Sequence, residues 1–331
     1  MDEENVLIID KHVLICPNGQ FDNIDNIYNE ELNFIKDNFC GVFYDSFDKA
    51  IFLQGSLIFL CGNIKENIKF IPTDYEINVI RELSYNYDNN DTSYNIIGIG
   101  EIPININNVG VLFRKLFSND NYFNEVKNSH EFQSLTEGNK DGCSFRKGIY
   151  LTNVNQEDDK IHFNLLRCST NLNGPTDNFR DIDKIIMNKV NNVCKYMFQF
   201  PVILNHVLAQ IYENVIVRNG QKKASIKAHS DKTKDMPRNG LLAFTTFYDT
   251  SNMSTKHKPN GLFDICYNNK NISALTRLYF KLKPEAALEN PNLIKEFDVT
   301  LYPNSVFIIP LSTNRLYTHE IRPSSLPIDK M

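Results

Sequence analysis

The stretch Lys223 to Asp231, which reads KASIKAHSD, decides the fold prediction for this chain. Successive side chains of a β-strand point to opposite faces, so residues two apart share a face. His229 and Asp231 are two apart, and the basic turn KTKDMPRNG and the strand-like LLAFTTFY follow them. We therefore predict a strand that presents one imidazole and one carboxylate on the same face.

A second segment, Phe297 to Arg322, reads FDVTLYPNSVFIIPLSTNRLYTHEIR and predicts two further strands joined by a turn at Ser312 to Arg315. Its later strand carries His319, which can reach the face of His229 and Asp231. Two imidazoles and one carboxylate form the facial triad of non-haem iron sites, which leaves coordination positions open for chemistry. We predict that these three side chains bind one metal ion.

Composition limits the partners of the protein. The chain has 331 residues and a net charge of −5, so it has length for one large or two moderate domains and no general attraction for nucleic acid. One local exception is the basic run from Arg218 to Arg238. Such a run is usually a solvated strand edge, but beside a metal site it could also bind a phosphate backbone or an anionic co-substrate.

The cysteines indicate an intracellular protein, in the cytoplasm or nucleus. There are 7 of them, scattered and without a C-x-x-C pair, which argues against a disulfide framework or a zinc cluster. The N-terminus, MDEENVLIID, is acidic, unlike a secretory signal, and the apolar run IFLQGSLIFLCG is too short to cross a bilayer. We expect neither secretion nor a membrane partner.

Two regions are expected from the pattern along the chain. Residues 1–105 form short apolar segments between Asn, Asp and Gly turns, which predicts a β-rich region of unknown role. The helical-looking segments NEELNFIKDNF and TDYEINVIRELSY are expected to pack on it. A helical pattern, VGVLFRKLFSNDNYFNEVKNSHEFQSL, follows from Asn108.

Residues 106–331 are expected to form a second, mainly β domain. CSFRKGIYLTNV, KIHFNLLRCST and NHVLAQIYENVIV are typical of strands, and apolar residues at helical spacing predict one clear helix over residues 182–198. With the later segments, about eight antiparallel strands are expected. The predicted class is α+β, mainly β, with a cupin-like jelly roll, or double-stranded β-helix, and flanking helices.

Residues from about 108 to 331 resemble the AlkB-like branch of the Fe(II)/2-oxoglutarate dioxygenases. The resemblance rests on an ordered series of motifs over about two thirds of the chain. These are Arg146 in a strand, then Asn205, Val207, Leu208 and Tyr212 in N-x-V-L-x-x-x-Y, then His229, Ser230 and Asp231, and last His319.

The resemblance implies a site and a reaction. His229, Asp231 and His319 would hold Fe(II), and 2-oxoglutarate and O2 would take the open positions. Tyr212 and Gln210 would contact 2-oxoglutarate, with Gln210 standing where the family usually has Asn; both amides offer the same hydrogen-bonding groups.

Two departures from the family pattern affect the expectations. The family places an Arg after the last His to bind the far carboxylate of 2-oxoglutarate, whereas this sequence has only Arg322 there. Arg322 lies an odd offset from His319, so we expect either that a bulge turns it inward or that the domain lacks its last strand. The second departure is Thr233, where nucleic-acid repair members often carry an acidic residue.

Three functions stay open at this stage. The first is oxidation or demethylation of alkylated nucleic acid, with Arg146, Lys232 and Thr233 contacting the substrate. The second is the same chemistry on a protein side chain or a small molecule. The third is an inactive jelly-roll binding module without 2-oxoglutarate turnover.

Overall fold

A computed structural model describes residues 3–21, 25–118, 120–134, 146–163, 176–218, 220–234, 236–251, 256–257, 261–266 and 272–328. The helices are α1 (Asn26–Asn38), α2 (Ile64–Asn67), α3 (Phe123–Ser129), α4 (Asp181–Met197), α5 (Pro284–Glu289) and α6 (Leu311–Leu316). The first strands are β1 (His12–Ile15), β2 (Val42–Tyr44), β3 (Leu57–Asn63), β4 (Glu76–Tyr85), β5 (Asn95–Ile97), β6 (Ile104–Ile106), β7 (Gly110–Phe113), β8 (Gln133–Ser134), β9 (Arg146–Thr152), β10 (Val154–Glu157), β11 (Lys160–Phe163) and β12 (Thr176–Asn178). The later strands are β13 (His206–Tyr212), β14 (Val215–Val217), β15 (Gly220–Lys222), β16 (Ile226–His229), β17 (Leu241–Thr246), β18 (Lys256–His257), β19 (Ile265–Cys266), β20 (Arg277–Leu282), β21 (Glu296–Thr300), β22 (Ser305–Pro310) and β23 (Tyr317–Arg322). The protein is α+β and mainly β, as the sequence predicts.

The N-terminal region is a five-stranded parallel sheet in the order β2-β1-β3-β4-β5. Parallel neighbours need a crossover between them, and α1 makes the one from β1 to β2. The predicted helix NEELNFIKDNF is confirmed as part of α1. The predicted helix TDYEINVIRELSY is wrong, because its residues from Glu76 onward form β4.

The error over β4 has a physical reason. β4 lies inside the sheet, between β3 and β5, and Ile77, Val79 and Ile80 are all buried. Inner parallel strands are covered on both faces, so their sequence is nearly continuous in apolar residues and lacks the strand alternation. Such a run cannot be told from a buried helix by its spacing alone.

Two four-stranded antiparallel sheets form the second region. Their orders are β16-β23-β20-β21 and β17-β22-β7-β6, and the chain passes repeatedly from one sheet to the other. Aromatic rings join the sheets: Phe280 of the first lies 6.4 Å from Phe244 and 5.8 Å from Phe307 of the second, between centroids. The two sheets therefore pack face to face.

The parallel sheet and the sheet pair share one hydrophobic core. Leu14 and Phe59 of the parallel sheet belong to the same cluster of buried residues as Phe280 and Phe307. The predicted boundary after residue 105 falls within β6, which pairs with β7 in the sheet pair. The N-terminal region therefore packs against the sheet pair in which the predicted metal ligands lie.

A fourth sheet, β12-β9-β13, packs against the clearest predicted helix. The helix predicted over residues 182–198 is confirmed as α4, and its Met187 packs against Ile149 and Leu151 of β9. The helical pattern predicted from Asn108 is wrong in its first part, where β7 forms, and right over α3. The predicted turn at Ser312 to Arg315 is instead the short helix α6.

Most of the remaining strand predictions hold where the structure describes them, but NHVLAQIYENVIV forms two strands, β13 and β14, and the strand predicted through Asp231 ends at His229. KIHFNLLRCST is β11 as far as Phe163, and its remainder lies outside the described residues. Within the described ranges, five cysteines are free and buried, whereas Cys143 and Cys168 lie outside those ranges.

Candidate metal centre

Two neighbouring strands place the two predicted histidines opposite each other. β16 pairs antiparallel with β23, and His229 is the register partner of His319. β20 pairs with the other edge of β23, so His319 lies on an inner strand. The imidazole centroids are 4.4 Å apart, with the ring planes at 55°. Strand register thus brings both imidazoles to one point on the sheet.

Asp231 lies two residues past the end of β16, and hydrogen bonds to its backbone hold it in place. Its N–H donates to Oδ1 of Asn314 at 3.1 Å, and its carbonyl accepts from Nδ2 of the same side chain at 3.0 Å. The hydroxyl of the preceding Ser230 donates to the carbonyl of Tyr317 at 2.8 Å. These three bonds replace the strand ladder that ends at His229 and fix the carboxylate beside the imidazoles.

The three side chains are spaced for a shared ion. Asp231 Oδ1 lies 3.7 Å from Nε2 of His229, and Oδ2 lies 3.6 Å from Nε2 of His319. One ligand atom from each residue lies within 4.8 Å of the others. These separations are too long for hydrogen bonds. They fit atoms that each reach a central ion over about 2 Å.

His229 is oriented for binding through Nε2. Its Nδ1 lies 2.8 Å from the carbonyl oxygen of Lys227, an acceptor that requires an N–H at Nδ1. In the neutral ring, Nε2 then carries the lone pair that faces Asp231. A carbonyl that fixes the tautomer in this way is a common outer partner of metal-bound histidine.

His319 is buried in its neutral form. Only 4% of its side chain is exposed, and Phe244 and Phe280 lie 5.5 and 5.7 Å from its ring. Burial lowers its pKa to about 4, Asp231 opposes this fall, and His229 and Lys283 add to it. Its Nδ1 is buried and has no hydrogen-bond partner among the described residues. Its Nε2 is the ring atom that faces Asp231, so this is the nitrogen that could bind a metal ion.

The predicted co-substrate residues Gln210 and Tyr212 cluster with Arg146. Tyr212 on β13 pairs with Arg146 on β9, and Nη1 of Arg146 donates to Oε1 of Gln210 at 3.3 Å. Burial raises the pKa of Tyr212 to about 12; Arg146 opposes the rise, and the carboxylate of Asp231 adds to it. The cluster is thus within electrostatic reach of Asp231.

Arg322 lies elsewhere, contrary to the expectation that a bulge would turn it inward. β20 and β23 pair regularly from Tyr317 to Arg322, so the alternation of faces is unbroken. The guanidinium lies 3.5 Å from the ring centroid of Tyr279 and pairs with Glu320, and 52% of the side chain is exposed. Arg322 therefore occupies the strand face opposite His319.

The other predicted substrate residues lie next to the triad in sequence. Lys232 is exposed and Thr233 is half-buried, directly after Asp231. Lys223, at the start of the same stretch, has another role, because its ammonium group donates to the carbonyls of Ser324 and Leu326. This lysine secures the C-terminal segment.

Sequence reasoning missed the residue that holds Asp231. The sequence places Asn314 among several polar residues of a predicted turn, yet it is 1% exposed and makes both backbone contacts described above. The sequence carries no signal that distinguishes this asparagine from its neighbours.

Comparison of the sequence with protein-family models found no matching family, and comparison with curated proteins found no similar protein. Among the helices that the structure describes, none has the length and apolar character needed to span a membrane.

Proposed function

We propose that the chain is an AlkB-like, Fe(II)- and 2-oxoglutarate-dependent dioxygenase. The observation that carries the proposal is the convergence of His229, Asp231 and His319, with two imidazole Nε2 atoms directed at one carboxylate. A set of two neutral imidazoles and one carboxylate suits a divalent ion and occupies one side of it. Iron is the metal for which two histidines and one carboxylate are the typical set.

The strand arrangement supports the same proposal. Two antiparallel four-stranded sheets face each other, and between β16 and β23 the chain crosses repeatedly from one to the other. We propose that these strands form a double-stranded β-helix. His229 lies on β16, Asp231 follows that strand, and His319 lies on β23. Sites on paired strands are rigid, which favours the fixed geometry that metal chemistry requires.

The residues around the triad would prepare the site. The carbonyl of Lys227 sets the tautomer of His229, and Asn314 fixes the backbone of Asp231. Phe244 and Phe280 keep water from the side of His319. When bound, Fe(II) would supply O2 activation, in which 2-oxoglutarate becomes succinate and CO2 while a substrate C–H bond is hydroxylated.

The test is succinate formation by the Fe(II)-loaded protein. Anaerobic protein would be given Fe(II) and 2-oxoglutarate, then O2, and succinate would be measured for wild type, His229→Ala and Asp231→Ala. We expect succinate from wild type only. His162→Ala is the matched control, because His162 is an exposed histidine outside the triad and its loss should leave succinate formation unchanged. Wild-type protein that binds iron without making succinate would refute the proposal and indicate an inactive binding module.

Alkylated nucleic acid is the substrate that we propose. Lys227, Lys232 and Lys234 are exposed and flank His229 and Asp231 in sequence, which would place positive charge beside the metal. Phosphate contacts make binding strongly dependent on salt. A methylated oligonucleotide should therefore bind less tightly as salt rises, and alanine at these lysines should reduce that dependence. Salt-independent turnover of a peptide or small molecule would favour the alternative substrates.

A further inference from the structure

Two strands of the fold have a hydrogen-bonded neighbour on one side only. β17 is an edge of the sheet β17-β22-β7-β6, and β13 is an edge of the sheet β12-β9-β13. Among the described residues, none hydrogen-bonds to the backbone along the outer edge of either strand. Such an edge presents a row of backbone N–H and C=O groups that another strand can bind.

Both strands are more exposed than their apolar sequences predict. β17 reads LLAFTT and is half-buried at every residue after Leu241, whereas its neighbour β22 is buried throughout. β13 reads HVLAQIY and is half-buried along its whole length. The edges therefore expose apolar surface that one more strand would cover.

The helix α4 packs on the same side of both sheets. Its Val190 and Cys194 belong to one buried cluster with Leu241 of β17. Its Met187 packs on the neighbouring cluster, as does Ala209 of β13. Each sheet thus turns an apolar face to α4, and the two edge strands lie beneath the same helix.

The two strands also start at the same end of this layer. The side-chain amide of Asn5 donates to the carbonyls of Phe200 and Asn239, each at 2.9 Å. The chain continues from Phe200 into β13 and from Asn239 into β17. Over most of their length, however, the Cα atoms of β13 and β17 are more than 8 Å apart. Paired strands lie about 4.8 Å apart, so this separation excludes direct pairing and is compatible with one strand between them. We call this space the strand slot.

The backbone groups of β17 that face the strand slot can be assigned. The carbonyls of Gly240 and Thr246 accept hydrogen bonds from the residues that flank β22. In an antiparallel ladder, the residues that bond to one neighbour alternate with residues whose N–H and C=O point the other way. The odd-numbered residues of β17, with Ala243 at the centre, therefore direct their N–H and C=O groups into the strand slot.

We propose that the strand slot binds an extended segment of a partner protein, about as long as β17 and apolar at alternate positions. Rows of backbone donors and acceptors select a polypeptide over a lipid or a nucleic acid, because main-chain hydrogen bonds hold an added strand. The apolar positions are those that face α4, where the small side chains of Ala209 and Ala243 leave room for larger ones.

Other occupants fit less well. A second folded copy would offer edge strands that are already paired on one side, whereas the strand slot takes a strand that pairs on both sides. The segment of this chain that follows β23 is engaged elsewhere. Lys223 binds the carbonyls of Ser324 and Leu326, and Leu326 packs in a cluster with Ile265 and Leu275.

A bound segment would lie beside the candidate metal centre. Phe244 neighbours Ala243 on β17, so its side chain points to the opposite face, away from α4. Its ring lies 5.5 Å from that of His319, between centroids. Every second side chain of the segment would point to the side of Phe244. The partner would thus form part of the wall around His319.

The test uses a peptide whose two edges are blocked separately. The probe is the blocked heptapeptide Lys-Val-Thr-Val-Thr-Val-Lys with a fluorescent label, and its affinity for the full chain would be measured by anisotropy. One matched peptide is N-methylated at its valines and another at its threonines, which removes the backbone donors of one edge or of the other. Each should bind at least about 10-fold more weakly, because the strand slot uses both edges. Full affinity of either methylated peptide would overturn the proposal, since a single sheet edge needs only one row of donors.

A variant locates the binding on β17. Ala243→Pro removes one donor that faces the strand slot and no hydrogen bond to β22, a position at which strands tolerate proline. It should weaken binding of the unmethylated peptide by roughly fivefold or more. Ala243→Ser keeps the N–H and should leave the affinity unchanged.

Three other results would also overturn the proposal. They are absence of peptide binding at millimolar concentration, equal affinity in folded Ala243→Pro, and a wild-type dimer that the peptide dissociates, which would assign the strand slot to a second copy. If Ala243→Pro does not fold, the methylated peptides on wild type decide the matter. None of these measurements involves succinate, so their failure leaves the proposed function standing.

Discussion

Replacing Asn314 with alanine should weaken metal binding, although this residue is not itself a ligand. Its side chain holds the backbone of Asp231 through two hydrogen bonds, of 3.1 Å from the N–H and 3.0 Å to the carbonyl. Asp231 follows the last residue of β16 by two positions, so no strand ladder would hold it after the substitution. The carboxylate would then sample positions away from the two imidazoles.

The size of the effect follows from the two lost bonds. Each such bond contributes about 0.5–1.5 kcal/mol, so Asn314→Ala should lower the free energy of unfolding by about 1–3 kcal/mol. Loss of an outer partner of a ligand typically lowers metal affinity by about 10- to 100-fold. We expect the same 10- to 100-fold loss of metal affinity here, which corresponds to about 1.4–2.8 kcal/mol of metal-binding free energy.

The assay measures metal affinity and stability in the same variants. Metal affinity would come from competition with a chelator, and stability from urea unfolding without metal. Asn5→Ala is the matched control, because Asn5 is equally buried and holds Phe200 in the same way, accepting from its N–H and donating to its carbonyl, each at 2.9 Å. Asn5 also donates to the carbonyl of Asn239 at 2.9 Å, so its loss should lower stability by about 1.5–4.5 kcal/mol.

The two variants separate support of the site from support of the fold. Asn5→Ala should be less stable than wild type and keep its metal affinity, whereas Asn314→Ala should lose both. Wild-type metal affinity in Asn314→Ala, measured on folded protein, would refute the reasoning and make this asparagine a purely structural residue.

Two further predictions concern stability. Glu31 and Arg114 form a buried ion pair, and the guanidinium lies 4.6 Å from the ring centroids of both Phe34 and Phe263. Glu31→Gln leaves this guanidinium without its partner and should lower the free energy of unfolding by about 3 kcal/mol. In a double-mutant cycle measured by urea unfolding, adding Arg114→Met should restore part of that loss. An equal or larger loss in the double variant would contradict this. Burial lowers the pKa of His12 to about 4. Between pH 6.5 and pH 4 the unfolded chain therefore binds more protons at this residue than the folded protein does. The free energy of unfolding should fall by about 3 kcal/mol as the pH falls through that range. His12→Leu should remove this component from urea curves at pH 7 and 4.5, and an unchanged pH dependence would show that His12 does not cause it.

The sequence predicts that His229, Asp231 and His319 come together, and the structure brings one ligand atom of each within 4.8 Å of the others. Only part of this arrangement follows from local rules. Alternation along a strand separates Arg322 from His319, as predicted. The predicted strand through Asp231, in contrast, ends at His229, and hydrogen bonds of Asn314 and Ser230 hold Asp231 instead. The expected bulge near Arg322 is also wrong, because a bulge depends on how β23 pairs with β20 and leaves no mark in the sequence of β23 itself.

The N-terminal sheet could not be predicted in the same way. The apolar residues of β4 suit either a buried strand or a helix, and its position between β3 and β5 decides the outcome. The parallel direction of all five strands likewise arises from crossovers such as α1. Interpreting the short apolar segments as a β-rich region gave the correct element type for most of them, but it did not give their direction or order.

The position of Asn314 connects the fold with the site. β22 and β23 belong to opposite sheets, and α6 is the connection that carries the chain between them. Asn314 lies on α6, and His319 follows it by five residues on β23. One crossing between sheets therefore delivers His319 to its strand and fixes the backbone of Asp231, which follows β16. The position of His319 and the support of Asp231 depend on the same short connection, so a change in the length of α6 should displace His319 and release Asp231 together. A change in the length of the β14–β15 hairpin should leave both the position of His319 and the hydrogen bonds of Asp231 to Asn314 unchanged.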